Sequence, residues 1–418
     1  MSKIKIIDYK FENFQNRITN KEIIEKLKSL NFKGSENLIF DDVAINFSIN
    51  GFKYIIEYCD MLYEKNIDYL IIWCSKETQL AIESCLNFIF GKFDFHKQEK
   101  IKLFFINTEK DLVLFKNKLN YFFQNSTKNN LAIMFCDGFS DCKNREPEVY
   151  VDILYSKFTE LASDFLIKKL IYFVGKSEWL KFIDKIGIPP KNILITNSNI
   201  NKHFCFFSET VLIILATQGV ELKKLINGYK ANAVFLENSD DFFNKSLALA
   251  KFVSQNLNSD YNIKNTQLNL FISYDSFLDF TIKNTSFNFA NLFIKKNIFS
   301  DYLFFPENVS QMTQIILSES LKKLIIYFQV KQKFFDFEPS PIVNDDDLLT
   351  KLNHFSLNKI LYTSQETFNN YLLSFNSFVK TIKIEIDDNS EEAYGELISL
   401  IYWAKIFYGI IHNLDPFE

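Results

Sequence analysis

A histidine and a cysteine two residues apart open the stretch Asn201-Lys202-His203-Phe204-Cys205, and such a pair can supply a base and a nucleophile. At a helix start, however, side chains two positions apart point in different directions, and apolar surroundings raise a thiol's pKa. Cys205 is therefore expected to be a structural thiol. Lys202 and His203 are placed at the mouth of the apolar helix that follows, from Phe204 to Ala216, with Gly219 fitting its C-terminal cap and a short amphipathic helix running on to Ala231. Two further loops carry polar groups at the ends of apolar runs: Trp73-Cys74-Ser75-Lys76-Glu77 and Phe135-Cys136-Asp137-Gly138-Phe139-Ser140. Acidic runs at Asp345-Asp346-Asp347, Asp387-Asp388 and Glu391-Glu392 read as solvated loops or helix N-terminal charge rather than as a metal site. Six scattered cysteines and 4 histidines lack paired metal-ligand spacing, so neither a metal nor a cofactor is expected, and the thiols read as buried and reduced. His412, near the end of the last helix, is expected to meet terminal carbonyls.

These residues must be positioned by the elements around them. Continuously apolar segments of strand length at Ile67–Cys74, Ile101–Asn107, Asn130–Cys136 and Leu170–Val174 alternate with helical patterns at Tyr54–Tyr63, Glu77–Phe88, Glu109–Phe123 and Val149–Lys169. Such alternation implies βαβ units with a mostly parallel sheet covered on both faces. A second set follows, with strands at Gln267–Tyr274, Leu303–Phe305, Leu324–Val330 and Thr381–Ile386. Its helices are expected at Phe277–Ile294, Gln311–Glu319, Leu348–Leu352, Lys359–Phe378 and Ala393–His412. The expected fold is thus α/β, two doubly wound α/β/α domains. Residues 1–45 form a helical N-terminal extension in which Asn20 caps Lys21–Leu30, 46–200 a first domain and 201–418 a second.

Bulk properties exclude several functions. With 47 Lys+Arg against 51 Asp+Glu, the net charge of -4 gives no electrostatic footprint for nucleic acid or an anionic membrane. The longest apolar runs, Val211–Ala216 and Leu324–Phe328, fall short of the roughly 20 residues of a membrane span, and Met1 to Asp8 shows no signal-peptide apolar region. A cytoplasmic location is the expectation. Only 10 glycines also argue against a phosphate cradle, since such loops bring backbone close to the ligand. The 47 Phe supply core, and the clusters Phe122-Phe123, Phe206-Phe207, Phe304-Phe305 and Phe334-Phe335 are expected inside.

The segment from Asn201 to Ala231 resembles the signature of glucose-6-phosphate isomerases, which reads Gly-Gly-Arg-Phe-Ser, an apolar run, Ala-Gly-Ile, then Leu-Leu-Glu-Gly-Ala-Lys. Ile272-Ser-Tyr-Asp275, Phe289-Ala-Asn-Leu-Phe-Ile-Lys295, Tyr394-Gly-Glu-Leu-Ile398 and the closing Gly409–Glu418 resemble further family segments, in the family's order, over roughly residues 45–418. The resemblance implies two sugar-isomerase domains. It also implies reactive positions, and these differ: Asn291 stands at the family's basic glutamate and His203 at its arginine. An amide takes up no proton near neutral pH. Pro306–Gln314 carries no histidine where the family has one for ring opening, and the family's lysine-bearing helix lies beyond the position of Glu418.

In place of the family's phosphate loops stand Trp73 to Glu77 and Phe135 to Ser140, where Asp137 opposes an anion and an indole replaces a glycine. Trp73, Lys76, Asp137, Ser140, Lys202 and Cys205 are thus expected to be a vestigial substrate site, and phosphosugar binding is not expected, although Lys76 or Lys202 offers a cation for it. The resulting expectation is an inactive relative serving as a structural or protein-binding subunit of a larger cytoplasmic assembly. Two other readings stay open: a divergent sugar-phosphate isomerase using Glu77, Asp137 or Glu209 as base, and a phosphosugar sensor.

Overall fold

A computed structural model describes residues 2–7, 19–46, 49–91, 101–106, 117, 120, 131–136, 156, 170–177, 184, 187–196, 200–257, 267–318, 321–333, 336–338, 355–375 and 379–418. The chain divides into two compact units. A middle unit comprises Asn37–Leu86 and Asp94–Leu222; a terminal unit comprises Met1–Glu36, Asn87–Phe93 and Lys223–Glu418. In chain order the first elements are β1 (Ile4–Ile7), α1 (Asn20–Lys28), α2 (Ile39–Asn46), α3 (Ile49–Glu64), β2 (Tyr69–Trp73) and α4 (Lys76–Phe90). Then come β3 (Lys102–Ile106), β4 (Leu131–Cys136), β5 (Ile171–Gly175), β6 (Ile193–Ile195), α5 (Glu209–Thr217), α6 (Leu222–Ala233) and α7 (Lys245–Asn256). The last are β7 (Gln267–Ser273), α8 (Asp279–Ile294), β8 (Ile298–Phe304), α9 (Val309–Leu317), β9 (Lys322–Gln332), α10 (Leu357–Phe375), β10 (Val379–Asp388) and α11 (Glu391–His412).

The middle unit holds a parallel sheet in the order β3-β2-β4-β5-β6. Its central strands are apolar throughout because both faces are covered; every residue of β4 and β5 is buried. The short edge strand β6 is held by a polar relay, in which Tyr58 Oη donates to the Asn192 carbonyl at 3.0 Å and the Asn192 amide donates to the Ile171 carbonyl at 2.8 Å. In the terminal unit the order is β1-β10-β9-β7-β8, parallel except for β1, which runs antiparallel along β10 with Ile4 opposite Ile386. Each sheet therefore grows in both directions from its first parallel strand, β2 or β7, and has the doubly wound arrangement expected.

Several elements differ from the sequence reading. Ile4–Ile7 is a strand, because its alternate apolar residues complete the edge of β10; the N-terminal segment is not purely helical and belongs with the terminal unit. Thr19, not Asn20, caps α1: its hydroxyl accepts from the Glu22 amide at 3.3 Å while the Glu22 carboxylate accepts from the Thr19 amide at 2.6 Å. Both orphan donors are met at once, which a single Asn cap does not achieve. The chain passes between units at Leu222–Lys223 rather than at residue 200, so Asn201–Ala231 straddles the seam, with α5 on one side and most of α6 on the other. β6 and α7 were not anticipated; of the helices expected at 109–123, 149–169 and 348–352, only residues 117, 120 and 156 are among the described residues, each helical.

The terminal unit is built around α11, which is buried at every position from Ala393 to Ile410. An all-round apolar helix needs neighbours on all sides. Gly228 of α6 and Gly395 of α11 allow one such neighbour to cross at backbone contact: a Cβ on Gly395 would lie 1.9 Å from the Leu225 carbonyl oxygen, and one on Gly228 1.9 Å from that of Glu392. The crossing is fastened by polar groups, since the Asn232 amide donates to Ser246 and Ser399 hydroxyls at 3.1 and 3.0 Å and the Trp403 indole donates to Tyr229 Oη at 3.0 Å. Glu396, buried on the same helix, accepts from the Lys3 amide at 2.7 Å and lies 3.3 Å from Lys245 Nζ. His412 Nε2 meets the Ser254 hydroxyl at 2.9 Å rather than terminal carbonyls, and burial followed by nearby Lys296 pushes its pKa down to about 4.

Gly395→Ala gains at most about 1 kcal/mol of helix propensity but forces two backbones apart, so the variant is expected to lose about 3 kcal/mol, read from its denaturant midpoint. Lys405, on the same helix, is wholly buried, and desolvation outweighs the opposing pull of Asp415, bringing its pKa from 10.5 to about 7. The folded state thus holds fewer protons than the unfolded chain between those values, and stability rises with pH across that window. Lys405→Met is expected to raise stability by a few kcal/mol, on the order of three pKa units, at and below neutral pH. The gain should fade as pH climbs toward 10; a gain independent of pH in thermal melts would refute this assignment.

Candidate functional site

In a doubly wound sheet, the connections leaving the first strand and its neighbour diverge to opposite faces and open a crevice at the carboxyl ends of those strands. The middle unit's switch point lies between β2 and β4, the terminal unit's between β7 and β9.

At the β2–β4 switch point, among the described residues, the floor is occupied by an aromatic side chain. Trp73 ends β2 opposite Phe135 of β4, is 1% exposed, and has its ring 5.7 Å from that of Phe135. The next residues turn directly into α4, whose start is capped from within: the Ser75 hydroxyl accepts from the Thr78 amide at 3.1 Å, and the Ser75 carbonyl accepts from the Gln79 amide at 3.0 Å. Of the amides that a phosphate would use at this helix N-terminus, that of Thr78 is thus already engaged. Lys76 is exposed and donates to Gln79 Oε1 at 3.0 Å. Glu77 lies 3.9 Å from Lys202 Nζ.

Lys202 and His203 begin a short 3-10 turn, Lys202–Phe207, capped by the Asn201 side chain, which accepts from the His203 amide at 2.9 Å. His203 is half-buried, whereas Phe204 to Phe207 are buried. Burial pushes the Cys205 thiol up to about 12, against a hydrogen bond from Thr78, so it is protonated and a poor nucleophile at neutral pH. Cys74 is raised still further by burial and by Cys205. The structure therefore brings Cys74, Thr78 and Cys205 together, packs Trp73 against Phe135 and pairs Glu77 with Lys202. Asp137 and Ser140 lie outside the described residues, as do Asp345 to Asp347. Asn291 sits on the exposed side of α8 in the terminal unit, and Glu209 in the first turn of α5. No group of three metal-ligating side chains occurs among the described residues.

The terminal unit's switch point is open. A cleft of about 420 Å³ lies where β7 and β9 end, with the start of α10 along its rim. Asp275, just past β7, holds the strand ends: its Oδ2 accepts from the Val330 amide at 3.0 Å and its Oδ1 pairs with Lys333. Lys331 pairs with Glu385 of β10. Asp336 accepts from the amides of Phe337 and Asn358 at 3.0 and 3.1 Å; although burial opposes ionisation, hydrogen bonds from Ser356, Asn358 and Phe337 hold its carboxyl below the usual range. Sequence reading missed this cleft, although Ile272-Ser-Tyr-Asp275 runs into it. The available signal was polar: Gln329 interrupts the apolar run of β9, and Gln365 is buried on α10.

The aromatic pairs split as follows. Phe206, Phe207 and Phe305 are buried; Phe122-Phe123 and Phe334-Phe335 fall outside the described residues. Aromatic exposure appears elsewhere, in the terminal unit after α6, where Phe242 is 81% exposed and packs edge-on against Phe243, which in turn stacks on Phe235. No helix among the described residues is long and apolar enough to cross a membrane.

No protein-family model matches the chain, and no curated protein matches it by sequence. Solved structures do. The chain is similar to a hypothetical protein from Thermus thermophilus, with a TM-score of 0.77 and 11% identity over 96% of this chain and 91% of that one. It is likewise similar to a glucose-6-phosphate isomerase from Chlamydia trachomatis, with a TM-score of 0.71 and 10% identity over 95% of this chain and 80% of that one. At such identities the likeness is one of fold: the chain has the doubly wound, sugar-isomerase-type architecture.

Proposed function

We propose that this is a non-catalytic protein of the sugar-isomerase fold that acts by binding another protein. The observation that carries the reading is the closed β2–β4 switch point, where Trp73 lies buried against Phe135 and α4 is capped by its own Ser75. A sugar phosphate at that crevice would have to displace a packed indole and compete with an internal cap, at a cost that substrate binding has to offset. Asn291, at the position the resemblance assigns to the proton-transferring glutamate, carries an amide that cannot take up the proton. The exposed Phe235, Phe242 and Phe243, beside exposed Asp240 and a Glu237 that pairs with Lys28 at 3.1 Å, suit a partner surface with an apolar centre and a mixed-charge rim.

A divergent isomerase is the second reading, favoured by Glu77 standing 3.9 Å from Lys202, since the carboxylate is a group to take the proton and the ammonium one to stabilise the enediolate that its removal leaves.

The expected outcome is that purified chain does not interconvert glucose 6-phosphate and fructose 6-phosphate; turnover of order 10 per second would overturn the proposal, and its loss in Glu77→Gln would establish the second reading. For the partner, Phe242→Asp is expected to abolish co-purification of a stoichiometric protein from the native cell while leaving the thermal melt unchanged, because the replaced ring is solvent-facing. Retention of that protein by the variant would exclude the aromatic patch as its docking surface.

A further inference from the structure

We infer that the cleft between the carboxyl ends of β7 and β9 binds a small neutral polyhydroxylated molecule, with the size and chemistry of an unphosphorylated mono- or disaccharide. The inference is independent of whether the chain catalyses anything. Position is the first ground, because the cleft occupies the switch point of its sheet, where open α/β sheets take their ligands. Its volume of about 420 Å³ falls within the roughly 300–1,000 Å³ of small-molecule sites.

Charge decides the class. Lys331, Lys333 and Lys359 face Asp275, Asp336 and Glu385, three cations against three anions. Lys333 pairs with Asp275, Lys331 with Glu385, and Lys359 Nζ lies 4.6 Å from the centre of the Phe355 ring. The start of α10, where an anion would gain most, is already served: the Asn358 amide donates to Asp336 at 3.1 Å and the Lys359 amide to the Ser356 hydroxyl at 3.3 Å. A phosphate would meet the Asp336 carboxylate there, so the site disfavours phosphosugars.

An apolar ligand is disfavoured by two buried amides. Gln329 is 3% exposed and Gln365 is 2% exposed; Gln329 Oε1 and Gln365 Nε2 both have no hydrogen-bond partner among the described residues. Leaving a buried acceptor and a buried donor unmet costs free energy that an apolar pair at these positions would avoid. Both atoms are sealed from solvent as they stand, so each side chain must turn its amide into the cleft it lines to be met. A hydroxyl donates and accepts at once, so a ligand carrying several hydroxyls then satisfies the acceptor of Gln329 and the donor of Gln365 together. Tyr274 and Tyr362 supply rings to the wall for the C–H faces of a sugar ring.

The test is calorimetry and ligand-observed NMR on the full chain, with glucose, galactose, fructose, maltose and inositol at millimolar concentration beside glucose 6-phosphate and inorganic phosphate. At least one neutral compound is expected to bind, more tightly than either phosphate. Gln329→Leu with Gln365→Leu is expected to weaken that binding roughly tenfold or more while leaving the melting temperature equal or higher, since the substitutions remove two unmet polar groups. Should the double variant not fold, Tyr362→Ala, at an exposed position, serves instead with the same expectation. Absence of binding by every neutral compound, preference for the phosphates, or undiminished binding by the variants would each overturn the inference. Turnover of glucose 6-phosphate would overturn the non-catalytic reading above, whereas the ligand of this cleft is decided by the binding measurements alone.

Discussion

The structure rests on one constraint of parallel sheets: strands that run the same way must be joined by crossovers, and these crossovers take one hand. When a sheet is extended first to one side of its initial strand and then to the other, the crossovers cover opposite faces, and a gap remains at the carboxyl end of that strand. β2 and β7 are those initial strands. Each unit therefore has one place where backbone architecture, rather than any particular side chain, makes room for a ligand. What distinguishes the units is the treatment of that room: Trp73 occupies the floor of one, whereas Asp275, pinned to the Val330 amide, props the other open.

Around the open site, rigidity comes from α11. A helix buried on all sides commits eighteen consecutive residues, Ala393–Ile410, to the core of the terminal unit, and the α6 crossing brings it within van der Waals reach of a second backbone. Two glycines make this possible, and a set of buried polar contacts among Asn232, Ser246, Ser399, Tyr229 and Trp403 gives the crossing one register. The buried Lys405 on the same helix works against stability, and its ammonium is tolerated because the surrounding packing is worth more than the desolvation it imposes.

Chemistry at the closed switch point is governed by desolvation. Cys74 and Cys205 sit among apolar groups that disfavour the thiolate, so the His203-to-Cys205 spacing, which in sequence has the form of a catalytic pair, does not yield a nucleophile. Glu77 and Lys202 remain at the surface as a screened pair. In the open cleft the balance is different, with charges paired internally and the buried amides of Gln329 and Gln365 each left with an unmet polar atom among the described residues.

The sequence by itself determined most strands and most helices, because burial on both faces writes continuous apolar runs such as Leu131–Cys136 and the 3.6-residue period marks helices such as α4. That Asn291 carries an amide and His203 an imidazole, where the resemblance has a glutamate and an arginine, is likewise read from residue type alone. The tertiary structure alone decided the rest. Ile4–Ile7 became a strand because β10, at the far end of the chain, offered an edge. Thr19 outcompeted Asn20 as a cap because Glu22 answered its amide. The open cleft escaped sequence reading because its wall is assembled from β7, β9, β10 and α10, and a gap between strand ends is a relation of distant segments that no local pattern encodes.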